Sequence, residues 1–222
     1  MSEQSAGRRG QPQPQPPPQL PRRRRGRPAK LSREAIVAAA LALLDHEGAD
    51  ALTMRRLGSE LGVEAMSLYR HVADRSALLD ALAAHLATEI EPHPGEEDWA
   101  EALRTFAGEL RSLARRHPAA FALVGTRVLG TPSELRPIED VLASLRRSGF
   151  TPARAIFAYR LLASYARGYA LSEIAGFAIE APGDVPLPAV RSLGRRLASE
   201  PTEANFRAGV ETIIAGLRAE RE

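Results

Sequence analysis

The 222-residue chain has no cysteine, so disulfides and thiolate metal sites are excluded, and a reducing, intracellular setting is expected. Aromatic residues make up only 5% of it. No apolar run approaches the roughly 20 residues that a membrane span needs, and the N-terminus lacks the apolar core of a signal peptide. Also missing are a phosphate-binding glycine loop, a nucleophile elbow and a paired-histidine motif, which leaves an enzyme reading without a specific residue to rest on. The five histidines are scattered. His85 and Glu89, four apart, supply at most two ligands, so no metal or cofactor is expected.

What is present favours helices. The chain is 44% hydrophobic and rich in Ala, Leu and Arg, whose side chains lose little freedom in a helix. The net charge of +3 conceals an asymmetry. Residues 1–30 carry eight basic side chains against Glu3 alone, a net +7, which leaves −4 for residues 31–222. The Gln/Pro run in this arm cannot repay the entropy of ordering and reads as disordered. A basic arm on a mildly acidic body suggests a polyanionic partner for the arm.

From Leu31 onward the pattern is helical. Ser32 caps a first helix to about His46, Thr53 a second to about Leu61, and a third runs from about Glu64 to Val72. Asp74 caps a fourth, with Leu78, Leu79, Leu82, Leu86 and Ile90 at helical spacing. The Pro- and Gly-bearing stretch at 91–98 is a boundary. Beyond it, helices are expected over about 99–117, 119–124, 133–148, 151–174, a shorter one to about Ala198, and 202–220. With no period-2 strand, the fold class is all-α: a disordered arm (1–30), a helix-turn-helix module (31–90) and a larger helical domain (91–222).

The stretch "LTMRRLGSELGVEAMSLYRHV" (52–72) carries the most chemistry. Two short helices joined at Gly62-Val63, the second the more polar, fit a helix-turn-helix. With Leu68 and Val72 turned inward against Leu57 and Leu61, the other residues of the third helix face outward and can enter a major groove. Ala65 and Met66 suit a thymine methyl, Ser67 a base or phosphate, and Arg70 a guanine. Tyr69, His71, Thr53 and Arg75 suit phosphates, and Arg55 a base or the backbone beside it. Double-stranded DNA is then the partner. The alternative is an ordinary three-helix packing unit with a polar outer face.

Residues 32–82, with "ALTMRRL", "LGV", "LYRHV" and "ALLDALA" in order, resemble the DNA-binding module of the tetracycline-repressor (TetR) family. The stretches "DWAEALRTFA", "RRSGFTPARAIFAYRLL" and "FRAGVETIIAGL" resemble the ligand-binding and dimerisation half of tetracycline repressors. The resemblance spans about 31–222 and implies a cytoplasmic homodimeric repressor released from its operator by a small-molecule inducer. Counted without gaps, two positions that hold the drug in tetracycline repressors by polar contacts fall near Glu91 and on Phe106, where neither contact is kept. That argues against tetracycline with magnesium as the inducer.

In the arm, "RGRPAK" (25–30) resembles the Arg-Gly-Arg-Pro core of AT-hook peptides, with Arg25 and Arg27 following a narrow minor groove. The alternative is a nonspecific polycation. The last helix aligns Phe206, Val210, Ile213, Ile214 and Leu217 on one stripe, and the helix from Thr151 is apolar nearly all round. We expect Phe157 and Leu161 to join that stripe in a four-helix interface between two copies, the alternative being internal core in a monomer. Phe106, Leu110, Phe121, Tyr165 and Tyr169 are expected around a ligand cavity, with Arg127 and His117 as polar handles, though each also fits plain core. A DNA-coating architectural protein without an inducer is the competing function.

Overall fold

The computed structural model describes residues 31–91, 98–176, 187–190, 192 and 203–219. The described residues all fall in one compact unit, within 31–222. The module expected over 31–90 and the body beyond it share one continuous core there.

Local signals set most helix ends. Helix α1 (Arg33–Glu47) starts where the Ser32 hydroxyl accepts the Ala35 N–H at 3.2 Å and stops at Gly48. Helix α2 (Met54–Leu61) is capped by Thr53, which accepts the Arg56 N–H at 3.1 Å. Helix α3 is shorter than expected, Ala65–Leu68. Turns carry the chain on to Val72, but the Val72 N–H still reaches the Leu68 carbonyl at 3.0 Å, which keeps both side chains on the buried side. Helix α4 (Arg75–Ala87) is capped by Asp74. It ends a turn before the expected Ile90, where the Thr88 hydroxyl donates to the His85 carbonyl at 2.6 Å.

The body consists of α5 (Trp99–Arg116), α6 (Pro118–Val124), α7 (Pro132–Arg147), α8 (Pro152–Ala175) and α9 (Glu203–Ala219). Proline at the first position of α6, α7 and α8 removes an N–H that would be unpaired there anyway. Of the shorter helix expected to reach Ala198, residues 188–190 are helical and most of the rest lies outside the described residues. Helix α5 packs along α8 and against α7, α9 lies on α8 and α5, and α4 packs on α1, α6 and α7.

Two features tie α9 into this body. Arg111, buried on α5, donates to both oxygens of Glu173 on α8 at 2.8 and 2.9 Å and pairs with Glu203 at the start of α9. Its guanidinium carbon also stands 4.8 Å from the ring centre of Phe206. Tyr165 stacks on Phe206 with centroids 5.7 Å apart and donates its hydroxyl to the Phe206 carbonyl at 3.1 Å. The close approach needs glycine at 209: a Cβ there would stand 2.0 Å from the Tyr165 oxygen.

These contacts correct one expectation. Phe206, Val210, Ile214 and Leu217 are buried inside the protomer, at 1–4% exposure, and Ile213 is partly buried. The apolar stripe of α9 therefore packs on its own subunit, because α5 and α8 cover it.

Gly209→Ala would ordinarily favour a helix by roughly 0.5–1 kcal/mol. Here it should instead cost about 1–3 kcal/mol by overpacking against Tyr165. Urea unfolding measures the sign, and a stabilised variant would contradict the described packing.

Candidate nucleic-acid interface and apolar cavity

The helix-turn-helix is held together at a tight crossing. A Cβ on Gly58 would lie 2.9 Å from the Val63 carbonyl and 3.1 Å from the Ala65 nitrogen, so only glycine lets α2 come this close to the start of α3. Leu57 and Leu68 have no exposed surface, and Val72 is 2% exposed. Burying a side chain such as Leu68 contributes about 1.5–3 kcal/mol. This anchor leaves the opposite side of α3 outward: Met66 is 73% and Tyr69 42% exposed, and Arg70 is exposed. Ala65, Ser67 and His71 are partly exposed.

The arginines of the module divide into two kinds. Arg56 is tied to Glu47 at the end of α1 and to Glu60 at 2.8 Å, and those hydrogen bonds raise its pKa further. Arg55, Arg70 and Arg75 are exposed, and none is in an ion pair among the described residues. Thr53 spends its oxygen on the α2 cap and keeps its proton to donate. Near the head of α1, backbone and Ser32 hydrogen bonds hold the Glu34 carboxyl below its ordinary value, with smaller help from the charges of Arg33 and His71. Thr53, Arg55, Ala65, Met66, Ser67, Tyr69, Arg70, His71 and Arg75 are thus all exposed or partly exposed within this one module. Arg25 and Arg27 lie outside the described residues.

A half-open apolar cavity of about 70 Å3 lies between α4 and the body. Ala83, Leu86, Ala87 and Ile90 line it from α4 and the turn after it. Phe106, Leu110 and Leu113 come from α5, and Phe121, Val124, Gly125 and Leu129 from α6 and the connection beyond. Helix α7 adds Glu134, Pro137 and Ile138, and α8 adds Tyr159 and Arg167. Three expected wall residues, Phe106, Leu110 and Phe121, are therefore in place.

The other four are elsewhere. Tyr165 and Tyr169 face α9 in the cluster with Phe206. His117 bridges α1 to the turn after α4, with Nδ1 2.9 Å from Asp45 and Nε2 3.1 Å from Glu89. That contact also occupies Glu89, the carboxylate paired with His85 in the sequence. Arg127 reaches back to α4, donating to Asp80 at 2.7 Å and the Ser76 hydroxyl at 2.8 Å. The two polar handles thus join the body to the helix-turn-helix module instead of facing the cavity. Tyr159 and Arg167, the polar groups of α8 that do face it, carry no sequence signal beyond helical spacing. Among the described residues no group of three metal-ligating side chains comes together.

Glu134 has a structural task within this wall. Its carboxylate accepts the N–H groups of Gly130 at 2.9 Å and Thr131 at 2.7 Å and the Thr131 hydroxyl at 2.7 Å, in a capping box at the head of α7. Burial pushes its pKa up, but these bonds outweigh it and hold the carboxyl below its ordinary 4.5. A depressed folded-state pKa means stability that is present above the unfolded value and lost as pH falls through the folded one. Glu134→Gln should therefore be less stable than the parent at neutral pH and lose less stability on acidification below about pH 4.5. Thermal unfolding of both proteins across that window measures the difference, and parallel curves would count against it.

Comparison with known proteins agrees with this arrangement. The family description "Bacterial regulatory proteins, tetR family" matches residues 36–82, and "Tetracyclin repressor-like, C-terminal domain" matches 91–221. The tetracycline repressor protein class D of Escherichia coli is 30% identical over 203 residues, covering 86% of this chain and 91% of that protein. The HTH-type transcriptional repressor DrrR1 of Streptomyces coeruleorubidus is 34% identical over 152 residues, 68% of this chain and only 56% of its own length. Among solved structures, apo ActR from Streptomyces coelicolor superposes with a TM-score of 0.74 at 32% identity, covering 86% of this chain and 98% of that one. ActR in complex with actinorhodin gives the same TM-score at 31% identity, covering 86% and 97%. The chain belongs to the tetracycline-repressor (TetR) family of bacterial regulatory proteins.

Proposed function

We propose that the protein is a homodimeric repressor that leaves a palindromic operator when a small molecule enters the cavity. It is a DNA-binding transcriptional regulator by family, and its ligand response is the behaviour that the ActR–actinorhodin complex illustrates in a relative. One observation carries the mechanism: α4 belongs to both sites. Its cap, Asp74, lies two residues past the buried Val72 that anchors α3, and its far end forms a wall of the cavity.

In this reading Ala65, Met66, Ser67 and Arg70 meet base edges, while Thr53, Arg55, Tyr69, His71 and Arg75 hold phosphates. The unpaired state of Arg55, Arg70 and Arg75 supports it, since a guanidinium already paired would first have to break that pair. Arg25 and Arg27 extend the contact into a neighbouring minor groove. Phe106 faces the cavity without a polar atom to offer, which supports an effector other than tetracycline with magnesium. The role is regulatory, not catalytic, and is exercised in the cytoplasm. Among the described residues no helix is long and apolar enough to cross a membrane.

The second copy docks on α8 and α9. Ile156, Phe157 and Leu161 are 40–47% exposed on α8, a costly surface for a monomer. Helix α9 contributes a small-residue face, Ala208, Thr212, Ala215 and Gly216, all exposed, in place of the apolar stripe it buries. Leu161→Asp should turn a sedimenting dimer into a monomer with its helicity retained. A parent protein that sediments as a monomer at micromolar concentration would refute the interface.

Effector binding shifts the population toward a spacing of recognition helices that no longer fits the groove, so effector and operator weaken each other reciprocally. Selection of bound sequences from random DNA, followed by footprinting, tests the function. We expect one discrete near-palindrome. Arg70→Ala should lose about 1–3 kcal/mol of discrimination at one base position, and removing residues 1–30 should weaken binding and flatten its salt dependence. Broad protection without a discrete site would favour the DNA-coating alternative.

A further inference from the structure

Resting on the cavity reading above, we propose that the effector is an organic acid, with a largely apolar body in the cavity and an anionic group paired with Arg167. The walls are apolar apart from Glu134, Tyr159 and Arg167. These three do not offer themselves equally. The Glu134 carboxylate is already engaged by two backbone N–H groups and a hydroxyl, so a cationic ligand would have to compete with the cap of α7.

Arg167 differs, for its contact with the Tyr159 hydroxyl brings no counter-charge. It is the one basic side chain lining the cavity among the described residues, it is half-buried, and no described carboxylate pairs with it. Elsewhere in the body Arg104, Arg111, Arg116 and Arg127 each hold a carboxylate. A guanidinium partly withdrawn from water against apolar walls has lost hydration without gaining a counter-charge. An incoming anion would supply that charge, bonded by a planar fork that suits carboxylates.

Tyr159 adds a second donor beside it. Burial pushes its phenol pKa up, opposed in part by the charge and hydrogen-bonding contact of Arg167, so the hydroxyl keeps its proton at neutral pH. The Tyr159 ring, 5.8 Å from that of Phe106, also gives the apolar body an aromatic surface. At about 70 Å3 the cavity is smaller than the roughly 300 Å3 at the low end of ligand pockets, so such an acid must displace wall residues as it enters. Helix α4 is one of those walls, and this links occupancy to the DNA-contacting module.

The test compares two fluorescent probes of one skeleton on the full-length protein: anionic 1-anilinonaphthalene-8-sulfonate and neutral N-phenyl-1-naphthylamine. The parent should bind the anion about tenfold or more tightly than the neutral probe, as a charge-assisted hydrogen bond implies. Arg167→Gln should abolish that preference while leaving the neutral probe's affinity within about threefold, which also reports an intact fold. Arg167→Lys should keep most of the preference. Two variants that fill the cavity from different walls, Leu110→Trp and Ala87→Phe, should weaken both probes. If these weaken both probes but Arg167→Gln leaves the anion's affinity unchanged, the acid class is wrong and the cavity reading survives. If neither filling variant affects either probe, the cavity reading fails and takes this inference with it.

Discussion

Helix α4 is gripped from several sides, and the rest of the molecule depends on that grip. Its leucines at 78, 82 and 86 are at most 2% exposed, and it packs on α1 of the DNA-binding module as well as on α6 and α7 of the body. A helix so enclosed cannot shift at one end without disturbing what it touches at the other, because close-packed interiors transmit displacement instead of absorbing it. Polar contacts reinforce the grip. Arg127 donates to Asp80 and Ser76 on α4, and His117 spans from Asp45 on α1 to Glu89 just beyond α4. Helix α6 lies between those two contacts in the chain and lends Phe121 and Val124 to the cavity.

Charge is distributed by the same logic of paired and unpaired groups. In the body, arginines meet carboxylates from other helices: Arg104 binds Glu211, and Arg111 binds Glu173 and Glu203. Removing one member of the buried Arg111 set would strand the other charges, which is far more costly than the set's net contribution suggests. On the recognition side, Arg56 is consumed in holding α1 to α2, while its sequence neighbour Arg55 is left without a pair among the described residues. Adjacent residues of one type thus have different tasks, set by the side of the helix on which each falls.

Much of the fold was legible beforehand because its signals are local. Ser32, Thr53, Asp74 and Thr151 each accept an N–H three residues ahead, and Pro152 follows Thr151 at the first helical position. The division of α3 into an anchored and an outward side was legible for a similar reason. Leu68 and Val72 are four apart, and a turn's worth of spacing decides which way both point. Along the helices themselves the departures were of length, such as the early ends of α3 and α4.

The amino-acid sequence by itself determined the helices, their caps, the buried residues of α3 and the basic character of the arm, because each rests on contacts within a turn or two of chain. Only the tertiary structure decided which apolar side of α9 stays inside the subunit, and which polar groups of α8 face the cavity. Tyr165 and Tyr169 were the evident aromatic candidates, yet Gly209 admits Tyr165 onto α9, and Tyr159 and Arg167 face the cavity instead. Those outcomes follow from the angles at which helices far apart in sequence cross. Such angles are set by the packing of many side chains together, and no single segment contains them.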